Sequence, residues 1–365
     1  MLKKLILCLM VYASAEACTA FQLKSQDGAV VYCRSMEFAF PLDSDFLIVP
    51  KGTSFTGTAP QGTGLKWSVK YGYAGMNQRI DRTLVSDGMN EKGLVVGCLY
   101  LPGYAEYEAP DAAKKEKTLG PWELTSYILG TCATLNDVKA ALKDCLVAQQ
   151  PVPNLAGFII PLHFYIGDQN GQVLIVEYVG GQRYEYENPI GALTNAPPFD
   201  WQMTNLGSYV NLNQFNVSPM QLSNYTVRGF GQGTGALGLP GDYTPPSRFV
   251  RAALFSQWAL PMPTAEEAVR LGFHVLNTFN IFEGAVRDAA PKKSPFGELG
   301  VDKTEWAVVY DKTNLKAYFR TYKSLRIQMV DLKKLDFSKA GMKMIALDRS
   351  FQVDDSTNNA QPLQK

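Results

Sequence analysis

Histidine is almost absent from this chain, which has two in 365 residues, His163 and His274. Hydrolases that activate a serine or cysteine through an imidazole have only these two to draw on. His163 falls in a strand-like stretch and His274 in an apolar helical one, where a packed side chain is the expected role. A Cys–His dyad would also leave the position of Cys18, described below, without a reason. The six cysteines, Cys8, Cys18, Cys33, Cys98, Cys132 and Cys145, show no CxxC spacing and no Cys/His cluster, so no zinc site is expected. Charge of one sign is not in excess either. The 35 Lys and Arg against 34 Asp and Glu leave +1 with no acidic or basic run, hence no electrostatic footprint for nucleic acid or an anionic membrane surface. After the first 17 residues no uninterrupted apolar run nears the roughly 18 residues of a spanning helix, so no stable membrane insertion is expected. Repeats and linkers are missing too, and at 46% hydrophobic the chain can bury an ordinary core as a single unit.

What is present begins at the N-terminus. Met1 to Ala17 has Lys3 and Lys4, an apolar run from Leu5 to Ala13, and small residues at Ala15 and Ala17, the three-part pattern of a secretory signal peptide. Export to the periplasm or the medium is expected, with Cys18 as first residue of the mature protein. A lipidated cysteine is the competing reading of such a leader, but Ala15 stands where lipoprotein leaders usually have leucine, and a charged Glu16 precedes Ala17. A free first-residue cysteine carries a thiol of ordinary pKa about 8.5 and an α-amine at roughly 7.7 to 8.0. That amine is basic enough to take the thiol proton and return it to a leaving amine, so one residue supplies nucleophile and base.

Downstream, Thr19 to Lys24 alternates apolar and polar residues, Ser25-Gln26-Asp27-Gly28 supplies turn chemistry, and Ala29 to Cys33 resumes an apolar run. This predicts a hairpin with Cys18 at one strand end and Arg34 closing the partner strand beside it. Arg34 there lowers the thiol pKa or holds a substrate carboxylate, and Glu37 pairs with the new ammonium; alternatively the two form a solvated pair. Strands are expected over Leu65 to Tyr73 and Gly93 to Tyr100, flanking a turn at Asp87-Gly88-Met89-Asn90. Helices are expected over Pro121 to Gly130 and Leu135 to Val147, the second capped by Asn136. Cys132 and Cys145 lie on these neighbouring segments, where an oxidising compartment permits a disulfide, although Cys33, Cys98, Cys132 and Cys145 read more simply as small buried residues. His163 to Ile166 and Val173 to Val179 form another hairpin. Gly231-Gln232-Gly233-Thr234-Gly235 has the glycines of a phosphate loop but no βαβ unit around it and no following lysine. Helices follow over Ser247 to Trp258 and Thr264 to Phe279, the latter opened by a Thr264-x-x-Glu267 capping box. A last hairpin joins Trp306 to Tyr310 with Leu315 to Thr321, and the polar tail 352–365 is expected to be disordered. Hairpins at both ends with helices between them imply an α+β layered domain over residues 18–351.

Several of these stretches together resemble the choloylglycine hydrolases, linear-amide hydrolases that include penicillin V acylases and conjugated bile salt hydrolases and belong to the N-terminal nucleophile hydrolases. The resemblance is carried by Cys18-Thr19, Arg34-Ser35-Met36-Glu37, Asp87-Gly88-Met89-Asn90-Glu91-Lys92-Gly93-Leu94, Leu193-Thr194-Asn195-Ala196-Pro197, and Gly238-Leu239-Pro240-Gly241-Asp242 leading to Ser247-Arg248-Phe249. It implies a four-layer αββα sandwich with Cys18 as nucleophile, Arg34 beside it, Asn195 and the Tyr100 backbone N–H as oxyanion hole, and Arg248 as second active-site arginine. Met36 and Tyr100 are implied to contact substrate, and no metal or cofactor is called for. Glu37 departs from the usual aspartate, so its contact to the α-amine must be made by a longer side chain. Tyrosine at position 100 is typical of the penicillin V acylases and asparagine of the bile salt hydrolases. The expected activity is cleavage of a small amide with an apolar acyl part through an acyl-thioester, penicillin V acylase-like. Bile salt and acyl homoserine lactone amides, and a non-catalytic exported lipoprotein or binding module, are the alternatives. A homotetramer is implied by the resemblance alone.

Overall fold

The computed structural model describes residues 17–155, 157–294 and 297–361, so the leader over 1–16 lies outside the described residues. The first hairpin forms as its pattern dictates, with β1 (Cys18–Lys24) and β2 (Val30–Phe38) antiparallel and Cys18 opposite Met36. β2 does not stop at Cys33. It runs on to Phe38 with every residue buried, so Arg34 lies inside the strand, opposite Ala20.

The next segments build a second sheet. β3 (Phe46–Val49) is followed by the outlying hairpin β4 (Ser54–Ala59) and β5 (Gly62–Ser68), then β6 (Tyr73–Asn77), β7 (Val85–Asn90) and β8 (Val95–Tyr100). Two expectations are corrected here. The strand expected over 65–73 is broken between Ser68 and Tyr73, and Asp87–Asn90 is a buried strand, with the turn directly after it at Glu91, Lys92 and Gly93, where Gly93 takes φ +74°. The glycines of this region serve close backbone approach. A Cβ at Gly75 would sit 2.0 Å from the Asp87 carbonyl oxygen and 2.5 Å from Gly88 Cα.

After the short β9 (Thr118–Leu119), α1 (Leu124–Thr131) packs on β7 and β8 and α2 (Leu135–Asp144) follows. The cap of α2 is Thr134 and not Asn136. Thr134 Oγ1 accepts the Asp137 N–H at 3.1 Å and Asp137 Oδ2 accepts the Thr134 N–H at 3.0 Å, a reciprocal box that Asn136 is one turn position too late to make. Beyond α2 the chain turns into β10 (Leu146–Val147), then β11 (Leu162–Gly167), β12 (Val173–Val179), β13 (Gln182–Glu187) and the short α3 (Phe199–Asn205). The small hairpin β14 (Met220–Leu222) and β15 (Tyr225–Val227) precedes α4 (Pro245–Trp258) and α5 (Ala265–Asn277), whose cap is Thr264 as expected. β16 (Val286–Ser294), β17 (Gly297–Asp311), β18 (Lys316–Thr321), β19 (Gln328–Asp331) and β20 (Lys343–Ile345) complete the chain.

One sheet has the order β1-β2-β17-β18-β19 with β16 on β17; the other runs β13-β12-β11-β8-β7-β6-β3-β20. α4 and α5 cover the first, and α1 covers the second. The sheets face each other through Tyr32 against Tyr165, ring centroids 4.8 Å apart, and Phe46 against Phe319 at 5.1 Å. The fold is therefore the four-layer αββα sandwich of the N-terminal nucleophile hydrolases. Cys33, Cys98, Cys132 and Cys145 are buried free thiols, so Cys132 and Cys145 do not pair. His274 points to solvent from α5 and is not the packed side chain its apolar neighbours suggest; the buried face is carried by Phe273, Val275 and Leu276. Among the described residues no helix is long and apolar enough to cross a membrane.

The close approach of β6 and β7 is testable. Gly75→Ala forces its methyl into the Asp87 carbonyl, and overpacking of this kind costs about 1–3 kcal/mol. Denaturant unfolding should show a lower midpoint at unchanged m-value; an unchanged midpoint would mean the two strands can part at no cost.

Candidate active site

Cys18 is the first residue of β1 and is 1% exposed, because β1 is flanked by β2 on one side and by the segment around Leu193 on the other. Ala20 and Leu193 exchange both backbone hydrogen bonds, at 2.8 and 2.9 Å. That bridge brings Asn195 to Cys18. Asn195 Oδ1 accepts the Cys18 N–H at 2.7 Å and an Arg248 Nη2 proton at 2.7 Å, while Nδ2 donates to the Tyr100 carbonyl at 2.8 Å. Donors on one side and an acceptor on the other fix the orientation of the amide. Its second N–H is not used in that bond.

The two arginines approach from opposite sides. Arg34 Nη2 stands 3.7 Å from Cys18 Sγ and donates to the Cys98 carbonyl at 2.5 Å, and Nη1 donates to Asp87 Oδ2 at 2.8 Å. Asp87 also accepts from Tyr32 Oη at 2.9 Å. Arg34 and Glu37 are therefore not a solvated pair; both are fully buried, and the partner of Arg34 is Asp87, in the motif read as a turn. Arg248 is placed by the first turn of α4. Its Nη1 donates to the Cys18 carbonyl and, at 2.9 Å, to Thr19 Oγ1, and its Nε donates to the Tyr243 carbonyl at 2.9 Å.

Among the described residues Glu37 makes no hydrogen bond to the Cys18 nitrogen, whose N–H goes to Asn195. Its Oε1 accepts from Thr304 Oγ1 at 3.0 Å, its backbone N–H donates to the Ala17 carbonyl at 2.8 Å, and Oε2 is buried with no hydrogen-bond partner among the described residues. In this chain the Cys18 nitrogen is still the amide joined to Ala17, which is not a base. Burial, opposed by Arg248, pushes the Glu37 carboxyl up to about 7, and burial brings Arg248 down to about 10, still protonated at neutral pH. Burial also raises the Cys18 thiol, against the pull of Arg34. Arg34 is disfavoured by burial, but Asp87 together with Cys18, Tyr32 and Cys98 more than restores it, and its pKa ends above the ordinary value.

Met36, opposite Cys18, has its Sδ 3.5 Å from Sγ and opens into a largely apolar cavity lined by Phe38, Phe40, Tyr100, Phe158 and Leu162. Tyr100 packs edge-on against Phe38, with centroids 5.6 Å apart at 72°. Thus Cys18, Arg34, Met36, Tyr100, Asn195 and Arg248 converge, and Glu37 joins them through Arg248 and Thr304. Nothing in the sequence points to Thr304, which lies far along the chain in β17, or to Glu177 behind Asn195, and His163 stands out there only as one of two histidines. Neither histidine hydrogen-bonds Cys18.

The raised Glu37 carboxyl makes a stability prediction for the chain that still carries Ala17. From its ordinary value of 4.5 up to about 7 the folded state holds a proton that the unfolded chain has released. Glu37 thus favours folding most below that interval, and roughly 3 kcal/mol is lost as pH rises through it. Glu37→Gln should flatten the slope of unfolding free energy between those limits, leaving the parallel contribution of Asp302, raised by burial to about 7. An unaltered slope would show that Glu37 titrates normally.

With this geometry in place, comparison with known proteins is informative. Residues 18–349 match the model of the linear amide C–N hydrolases, choloylglycine hydrolase family. The chain is 27% identical over 342 residues to a bile salt hydrolase/transferase of Clostridium perfringens, covering 92% of this chain and 99% of that one. It is 27% identical over 331 residues to a penicillin V acylase of Pectobacterium atrosepticum, covering 87% and 81%. A crystal structure of a conjugated bile acid hydrolase variant from Clostridium perfringens superposes with TM-score 0.81 at 26% identity over 92% of this chain and 99% of that one.

Proposed function

This chain belongs to the choloylglycine hydrolase family of linear amide C–N hydrolases, and on that footing we propose that it is an exported amidase whose nucleophile is Cys18, freed as the first residue by loss of residues 1–17. The observation that carries the reading is the convergence of the Cys18 thiol, two buried arginines and the Asn195 amide beside Met36 and Tyr100, which line an apolar cavity. Cleavage of the Ala17–Cys18 bond turns the nitrogen held by Asn195 from an amide into an amine, and the unpartnered Glu37 Oε2 gains a cation to face. The amine takes the thiol proton and the thiolate, favoured by Arg34, attacks the substrate carbonyl. The second Asn195 N–H and the Tyr100 N–H then receive the oxyanion. The amine returns the proton to the leaving nitrogen, and water activated by the same amine releases the acid.

The acyl part is apolar and flat, because the cavity beside Met36 presents Phe38, Phe40, Tyr100 and Phe158. This favours a penicillin V acylase-like activity. A bile salt is the second reading, supported by the relatives from Clostridium perfringens. A homotetramer belongs to the same proposal, supported by exposed Met220, Leu222 and Tyr225 on the β14–β15 hairpin.

The processed protein, beginning at Cys18, should release amine from penicillin V faster than from a glycine-conjugated bile salt or a long-chain acyl homoserine lactone. Cys18→Ser should abolish release. Asn195→Ala should lower turnover on the order of a hundredfold or more without unfolding the protein. A mature mass carrying lipid, or a Cys18→Ser variant as active as the parent, would reject the proposal, and bile salt as the fastest substrate would select the second reading.

A further inference from the structure

Asn195 sits in a loop whose two ends are tied to one buried pair on the other sheet. His163 in β11 and Glu177 in β12 are both 0% exposed, with Nδ1 2.7 Å from Oε1. His163 Nε2 is 2.9 Å from the Thr194 carbonyl oxygen, immediately before Asn195. Both Glu177 oxygens lie 3.1 Å from the Phe199 nitrogen and accept its N–H, just past the Ala196–Pro197 step. Because Leu193 pairs with Ala20, the loop begins against the first sheet, and the pair fastens it to the second.

Counting protons shows what this arrangement requires. A carbonyl oxygen only accepts, so Nε2 must carry a hydrogen; an ionised carboxylate also only accepts, so Nδ1 facing it needs another. Neutral imidazole has a single N–H. Beside a carboxylate it must leave one of the two contacts as lone pair against lone pair. All these hydrogen bonds coexist only when the pair holds one proton more than neutral imidazole plus carboxylate, whether that proton rests on Nδ1 or on Oε1. Around the pair, β8 presents Leu99 opposite His163, Tyr186 of β13 and Asp200 of α3 lie within electrostatic reach of one another and, for Tyr186, of Glu177, and Arg248 of α4 reaches Asn195 Oδ1.

We propose that His163 and Glu177 are positioning residues for Asn195, clamping Thr194 and Phe199 through the proton they share and so setting the aim of the Asn195 amide. The proposal rests on Asn195 being the oxyanion donor. In the processed enzyme His163→Gln should lower kcat on the order of a hundredfold with KM unchanged, as expected for a misaimed catalytic group. In an Asn195→Ala background the same substitution should cost less than about twofold, because the two residues act through one bond. Nitrogen-15 histidine NMR of the wild type, assigned with the surface variant His274→Gln, should show a proton on His163 Nε2 at the pH of maximal rate. Equal losses in both backgrounds, or an Nε2 without a proton at that pH, would overturn the proposal. Should His163→Gln not fold, the wild-type NMR decides it alone. If Asn195→Ala by itself is fully active, the reading of Asn195 has failed, not the proton count.

Discussion

The Arg34–Asp87 ion pair is the contact on which the site depends. Arg34 belongs to β2 in one sheet and Asp87 to β7 in the other, both are 0% exposed, and they meet at 2.8 Å. Charges so buried cost several kcal/mol each in lost hydration, and their attraction offsets this only with good geometry and satisfied hydrogen bonds. Tyr32 and the Ser86 and Cys98 carbonyls supply part of those bonds, leaving Arg34 Nε and Asp87 Oδ1 without a hydrogen-bond partner among the described residues. The consequence is positional. With Nη1 committed to Asp87, Nη2 has one place to stand, beside the Cys18 sulfur, so the register of the two sheets fixes a cation next to that thiol.

The charges around Cys18 are balanced across several elements. Burial alone raises the thiol pKa and works against a nucleophile. Arg34, itself paired with Asp87, opposes that from one side and Arg248 from the other, while burial pushes the Glu37 carboxyl up to about 7 against the pull of Arg248. Asn195 joins these parts, since its carbonyl oxygen accepts from Arg248 and from the Cys18 nitrogen. What fastens Asn195 is a hairpin bridge to β1 and a buried pair on the opposite sheet, which couples its aim to the stacking of the sandwich.

Sequence alone revealed the parts governed by local rules. The β1–β2 hairpin followed from its alternation and turn, and the α5 cap from Thr264 and Glu267. Where tertiary contact overrides local preference the reading failed. Asp87-Gly88-Met89-Asn90 has turn composition, yet it is a central strand because its glycine allows β6 to come close and its aspartate answers Arg34. His274 has apolar neighbours on both sides but occupies the one outward position among them. Glu37 was legible as a departure from the family pattern; its actual partner, Thr304, lies 267 residues away on β17 and has no signature. Residue types at the site could be read from motifs, while their hydrogen-bond partners are set by strand register across two sheets.

The most direct test of a first-residue cysteine nucleophile is the mass of the processed protein, quenched in acid during turnover of penicillin V or a glycine-conjugated bile salt and then digested. The expected result is a peptide beginning at Cys18 and heavier by the acyl group, absent in Cys18→Ala. Turnover with an unmodified Cys18 peptide, or full activity in a protein that still carries Ala17, would contradict it.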